Sequence, residues 1–240
     1  DWAVTEAGFG ADLGAEKFVD IKCRGSGLRP AAAVLVATVR ALKYHGGVER
    51  GELGREDLAA VERGLANLRR HLHNLREVFG LPCLVAVNHF AADTEAELDL
   101  LRRRVAEQGV PVLLCRHWAE GGRGAAELAR ELVRVAGNGL ASAALRFAYE
   151  LDLPLWEKIQ TLARRIHGAA EVRAPAAVHE QLRRLQDQGH GALPVCLAKT
   201  PYSFSSDPAL RGAASGHVLE LREVRLAAGA GFVVVICGDL

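Results

Sequence analysis

Three times in the first half of the chain, an uninterrupted apolar run breaks into a polar loop and then into a helical pattern. Val34-Leu35-Val36-Ala37 leads into Thr38-Val39-Arg40-Ala41-Leu42-Lys43-Tyr44-His45-Gly46-Gly47. Leu81 to Asn88 leads into His89-Phe90-Ala91-Ala92-Asp93-Thr94, and Pro111 to Cys115 into Arg116 to Gly124. An apolar run without alternation belongs to a strand covered on both faces, as in a parallel sheet. The patterns that follow are helical. Leu58, Val61, Leu65, Leu68, Leu72 and Leu75 recur every three or four residues between Glu56 and Phe79, and Asp93 or Thr94 is placed to cap a helix running to about Gln108. A third helix is expected from about Ala125 to Ala136. Strand alternating with helix is the signature of an α/β fold.

The second half is less regular. Asn138 to Asp152 interrupts the rhythm with small residues. Helices are expected at Leu155 to Ile166 and Ala176 to Gln188, and a buried strand at Leu193 to Ala198. His217 to Val224 alternates apolar with polar residues, which suits an edge strand, and Phe232 to Ile236 reads as a last buried strand. A short helix from Ala15 to Arg24 precedes them all. The expected architecture is α/β, a mostly parallel sheet with flanking helices, divided into residues 1–137 and 138–240.

Composition narrows the function classes. The net charge of +1 supplies no global field to draw the chain to nucleic acid, and its basic residues alternate with acids along helices. No apolar run approaches the roughly 20 residues needed to cross a bilayer. The first residues lack both the basic and the apolar part of a signal peptide. The five cysteines are scattered, mostly inside apolar runs, and none forms CxxC; they read as reduced thiols of a cytoplasmic protein. No metal-ligand spacing and no G-x-S-x-G occurs. The chain has no methionine, and Val233 to Leu240 stops where a strand ends. It therefore reads as a piece of a longer polypeptide.

Function is expected at the carboxyl ends of the strands, where ligands of open parallel sheets bind. Four loops end there, at 40–47, 88–94, 116–124 and 199–207, and one shared rim is expected. They carry cations and amides beside aromatic rings. Phe9, Phe90 and Trp118 stand among Gly, Asp and His in a chain that is only 5% aromatic. Such rings either stack a flat heteroaromatic ligand whose anionic tail meets the basic residues, or fold back over the sheet ends. Spacing alone leaves both open.

The words around these loops resemble a known family. Val4-Thr5-Glu6-Ala7-Gly8-Phe9-Gly10-Ala11-Asp12-Leu13-Gly14, Val36 to Gly47, Val85-Ala86-Val87-Asn88-His89-Phe90-Ala91-Ala92-Asp93-Thr94-Glu95-Ala96-Glu97-Leu98, Trp118-Ala119-Glu120-Gly121-Gly122-Arg123-Gly124 and Leu193 to Ser205 are similar, in the same order, to segments of formate–tetrahydrofolate ligases. Tyr44 stands where that family usually has methionine. The resemblance implies ATP-dependent joining of formate to tetrahydrofolate through formyl phosphate, with ATP and Mg2+, in a bacterial, cytoplasmic homotetramer. It implies that Phe90 and Trp118 sandwich the pterin, with Phe9 beside them and Gly121 and Gly122 lining the cleft. Arg40, Lys43 and Lys199 become candidates for neutralising phosphate or glutamate charge. The resemblance names no catalytic residue and no metal ligand. The family's phosphate-binding loop, GxxxxGK[ST] in type, has no counterpart in these residues, so the implied P-loop-like core is incomplete on its amino-terminal side. The alternative is a folate- or nucleotide-binding fragment without catalysis.

Overall fold

The structure, a computed structural model, describes residues 2–137 and 145–238. The run 138–144, the expected 137/138 boundary and the closing residues 239–240 lie at or outside those limits. The chain packs as two compact units. Unit 1 comprises Asp1–Leu28, Arg146–Leu210 and Ala214–Leu240, and unit 2 comprises Arg29–Leu145 and Arg211–Ala213. The amino-terminal 28 residues thus pack with the second half of the chain, where the sequence reading places them with the first.

Unit 1 opens with the expected short helix. It runs as α1 (Gly14–Lys17), a wider turn at Phe18–Cys23, and α2 (Arg24–Ser26), ending on Gly27 in the left-handed conformation. Phe18 and Ile21 are half-buried, and Val19 and Cys23 are fully buried.

Unit 2 is a three-stranded parallel sheet in the order β1-β2-β3. β1 (Ala33–Ala37) pairs Leu35 with Val85 of β2 (Cys83–Asn88), and β2 pairs Asn88 with Cys115 of β3 (Val112–Cys115). The central strand β2 is buried along nearly its whole length, which is why its sequence is apolar without alternation. After β1 the structure departs from the expected basic turn. Thr38 caps α3 (Val39–His45), its Oγ1 accepting from Ala41 N at 3.0 Å. Val39 and Leu42 face the core from this helix, so Arg40, Lys43 and His45 are distributed around a helix rather than strung along a loop.

α4 (Leu58–His73) starts at Asp57, whose Oδ1 accepts from Ala60 N at 2.8 Å, and continues through a wider turn at Asn74–Val78. It crosses α3 closely. A methyl group on Gly64 would overlap the Leu42 carbonyl, and one on Gly46 would overlap the Ala60 carbonyl. α5 (Glu95–Ala106) has Thr94 as its cap. α6 is the single turn His117–Glu120, followed by a tighter turn at Gly121–Ala125 and by α7 (Ala126–Gly137).

The chain then returns to unit 1 with α8 (Leu155–Arg165), β4 (Glu171–Arg173), α9 (Ala176–Leu185), β5 (Val195–Ala198), β6 (Val218–Ala227) and β7 (Phe232–Cys237). These strands form a second sheet in the order β4-β6-β7-β5. β5 runs parallel to β7, β4 parallel to β6, and β6 antiparallel to β7. The expectation of an edge strand at 217–224 is corrected here. β6 is internal, and its alternation reflects one buried and one open face, not a free edge. The short β4, which carries a single apolar residue, covers its outer side. Both sheets fit the expected class, α/β with a mostly parallel sheet and flanking helices. Among the described residues no helix is long and apolar enough to cross a membrane, and each of the five cysteines is free.

The α3–α4 crossing sets two general rules against each other. Propensity alone predicts that Gly64→Ala stabilises a helix by about 1 kcal/mol. The overlap with the Leu42 carbonyl predicts a loss of about 1–3 kcal/mol from overpacking. We expect the loss, read as a lower urea midpoint for unfolding of unit 2.

Candidate functional site

Parallel strands in register deliver their carboxyl ends to one edge, so α3, the 88–94 loop and the Arg116–Ala125 segment share a rim of unit 2. The fourth expected loop, 199–207, follows β5 in the other sheet. The four expected loops therefore divide between two sheets, three following the strands of unit 2 and one following β5 of unit 1.

On the unit 2 rim, Phe90 is 40% exposed and Trp118 is 94% exposed. Water at such rings is unfavourable, and core residues of this size are ordinarily covered. The Phe90 loop is tightly made. Phe90 N donates to Asp93 Oδ2 at 2.8 Å, Asp93 N returns a bond to the Phe90 carbonyl at 3.0 Å, and His89 N donates to the Cys115 carbonyl at 3.1 Å. That last bond ties the Phe90 loop to the end of β3, from which Trp118 departs one turn later. Gly121 turns the chain after that helix with φ +58°, a conformation that disfavours a side chain, and Gly122 has open space around it. The Arg40 guanidinium lies 4.8 Å from the centre of the Phe90 ring, within cation–π range. Two residues assigned separate roles from sequence, one for charge and one for stacking, are in contact.

Lys43 is elsewhere. Its side chain is fully enclosed, with Nζ 2.9 Å from Glu97 Oε1 and 2.8 Å from the Arg55 carbonyl. Expected at ligand charge, it is found sealed from water and neutralised by an internal ion pair. Glu97 is the residue that sequence reasoning passed over. Oε1 also accepts from Asp57 N at 2.9 Å and Oε2 from Thr94 N at 3.2 Å, while Thr94 Oγ1 accepts from Glu97 N at 3.3 Å. Burial pushes this carboxyl up, but the Asp57 N–H, Lys43 and the Thr94 N–H outweigh it and hold it below the usual carboxylate range. The signal was present in the sequence: Thr94-Glu95-Ala96-Glu97 is a capping box.

In unit 1 the loop 8–14 lies against the 199–207 loop. Lys199, expected at an anion, is also enclosed. Its Nζ is 2.7 Å from Asp12 Oδ2 and donates to the Thr200 carbonyl at 3.2 Å and to the Ser203 carbonyl. Burial lowers its pKa against the pull of Asp12. Behind the pair, His167 Nδ1 stands 3.4 Å from the same Asp12 oxygen. Phe9, 78% exposed, meets the half-exposed Tyr202 edge-on at 6.3 Å. On the adjoining helix, Glu16 is buried with neither oxygen hydrogen-bonded and with Lys17 Nζ 3.6 Å from Oε2, and burial raises its pKa well above the normal value against the pull of Lys17. Burial likewise raises Asp20 to about 6, although the Ala148 N–H and Arg24 oppose it.

Two stability measurements check these buried charges. Lys43→Met leaves Glu97 ionised without its partner and is expected to cost about 3–5 kcal/mol. Lys43→Met with Glu97→Gln recovers part of that loss, because neither charge is then left alone. The second concerns pH. Burial pushes His167 down to about 4, with Asp12 pulling the other way. The unfolded imidazole takes up its proton near pH 6.5 while the folded one stays neutral, so this residue's contribution is whole above 6.5 and is lost as pH falls towards 4. The urea midpoint of the parent is expected to fall relative to that of His167→Gln between pH 7 and pH 4.

The family model described as "Formate--tetrahydrofolate ligase" matches residues 1–240. A formate–tetrahydrofolate ligase of Methylibium petroleiphilum is 58% identical over 241 residues, covering 100% of this chain and 43% of that protein. Ligases of the same name from Cereibacter sphaeroides and Paracoccus denitrificans are 58% and 59% identical over 240 residues, each match covering 42% of the relative. The chain thus spans about two-fifths of the length of the curated relatives it matches, and across that whole span it belongs to the formate–tetrahydrofolate ligase family.

Proposed function

We propose that these residues form the folate-stacking part of an enzyme that joins formate to tetrahydrofolate at the expense of ATP. The products are 10-formyltetrahydrofolate, ADP and phosphate. In this reading a formate oxygen takes the terminal phosphoryl group of ATP and ADP departs. The folate amine then attacks the formyl carbon and phosphate leaves. Positioning and charge neutralisation carry such a reaction without a protein nucleophile. The observation that carries the proposal is the exposure of Phe90 and Trp118 on adjoining strand-end loops of one sheet, in a chain of this family. Their rings offer the two faces that a flat pterin needs. Gly121 and Gly122, three and four residues on, add no side chain beside the loop that carries Trp118. Arg40, exposed at the same rim, is the cation proposed to meet ligand charge.

Among the described residues no group of three or more His, Cys, Asp or Glu side chains is arranged to hold a metal ion. Magnesium enters the proposal as the companion of the nucleotide's phosphates. Assembly as a homotetramer and a place in the cytoplasm belong to the same proposal.

A second reading, binding without turnover by these 240 residues alone, is favoured by the lack of GxxxxGK[ST] among them. Two experiments test the pair. In a full-length ligase carrying this chain, Trp118→Ala is expected to raise the tetrahydrofolate KM about three- to tenfold, the range of an aromatic stacking contact, and to leave the ATP KM in place. An unchanged folate KM would refute the stacking role. Incubating the purified 240 residues with ATP, formate and tetrahydrofolate decides the second reading, since any formyltetrahydrofolate formed excludes it.

A further inference from the structure

A capping-box glutamate needs only to reach back to the backbone N–H at the start of its own helix, and it can do so from the surface. Glu97 does more than that. It is fully buried, and its two oxygens collect the Thr94 N–H at the head of α5, the Asp57 N–H at the head of α4, and the Lys43 ammonium on α3. Capping α5 accounts for only the first of these. The other two join the neighbouring helices to the same carboxylate.

The joined pieces carry the rim. Lys43 lies on α3 one turn beyond Arg40, so a tether on Lys43 sets the rotation of the helix that presents the guanidinium. Thr94 closes the loop that presents Phe90, and the neighbouring Asp93 holds the Phe90 amide. Arg40 and Phe90 meet at 4.8 Å. Their side chains are exposed, so burial does not hold them together, and an exposed cation–π contact is weak. The segments that carry them are both tied to Glu97, the helix of Arg40 through Lys43 and the loop of Phe90 through Thr94. We infer that Glu97 is a positioning residue, one whose buried bonds to Lys43 and Thr94 set Arg40 on the ring of Phe90 and so fix which face of that ring is open to the flat part of the substrate. With one face capped by the guanidinium, the opposite face is left for stacking. The capped ring also carries a positive charge on its covered side, which favours an electron-rich heterocycle on the other.

The inference rests on the stacking role proposed for Phe90, and its test separates the two. In a full-length ligase carrying this chain, the tetrahydrofolate KM is measured for Glu97→Gln, Phe90→Leu and the combination. Phe90→Leu is expected to raise it about three- to tenfold, and Glu97→Gln about two- to fivefold. In the Phe90→Leu background, Glu97→Gln is expected to add less than about twofold, because the ring through which it acts is gone. A structural role alone would repeat its full effect in either background, and that outcome overturns the inference, as does an unchanged KM in Glu97→Gln. If Phe90→Leu itself leaves the KM unmoved, the stacking role fails and the inference fails with it. Should Glu97→Gln not fold, Lys43→Met with Glu97→Gln leaves no unpaired charge buried and enters the same cycle, with the same outcomes deciding.

Discussion

A carboxylate that water does not reach has to be satisfied by the protein around it, and Glu97 is satisfied from three elements at once. The interaction is short in range and demanding in geometry. Removing a charge from water costs several kcal/mol, and only a partner within bonding distance and well-placed N–H groups return it. The helices α3, α4 and α5 therefore cannot shift independently. The heads of α4 and α5 and the last turn of α3 meet at one carboxylate, and the loops that open from the sheet inherit that arrangement. Lys199 and Asp12 play the corresponding part in unit 1, where a sealed ion pair holds the glycine-rich loop 8–14 against the loop after β5.

This division of labour explains why two of the three cations expected at a ligand are not on the surface. Lys43, Arg40 and Lys199 look alike in sequence, as basic residues just beyond apolar strands. Lys43 lies one turn from Arg40, on the side of α3 that faces α4 and α5, and a long aliphatic stem carries its charge inward to Glu97. Arg40 faces out and lies across an aromatic ring. The choice between the two fates depends on helical phase. Once Thr38 is known to cap a helix, Val39, Leu42 and Lys43 fall on the inner side and Arg40 on the outer.

The same reasoning separates what was legible in the rim from what was not. Phe90, Trp118, Gly121 and Gly122 were visible because apolar or conformationally special residues stood among polar ones at strand ends. The contact between Arg40 and Phe90 was not visible. The two residues are 50 positions apart, and the contact exists only because β1 and β2 are neighbours in register. His167 and Asp12 were missed for the same reason, since nothing in either one's local sequence points to the other.

By itself the sequence determined the local elements and the class. Apolar runs without alternation became covered strands, residues at a spacing of three to four became helices, and Thr94 with Glu97 became a capping box. These outcomes depend on interactions within a few residues, and they survive any packing that keeps the same faces buried. The family was legible as well, because its words lie along the chain in order. Tertiary structure decided the rest: that the strands form two sheets, that β6 is internal, that residues 2–28 pack with the second half, and that Lys43 and Lys199 are sealed in ion pairs. Each of these is settled by which distant segment lies opposite, and burial converts that choice into energy by demanding a partner for every charge removed from water.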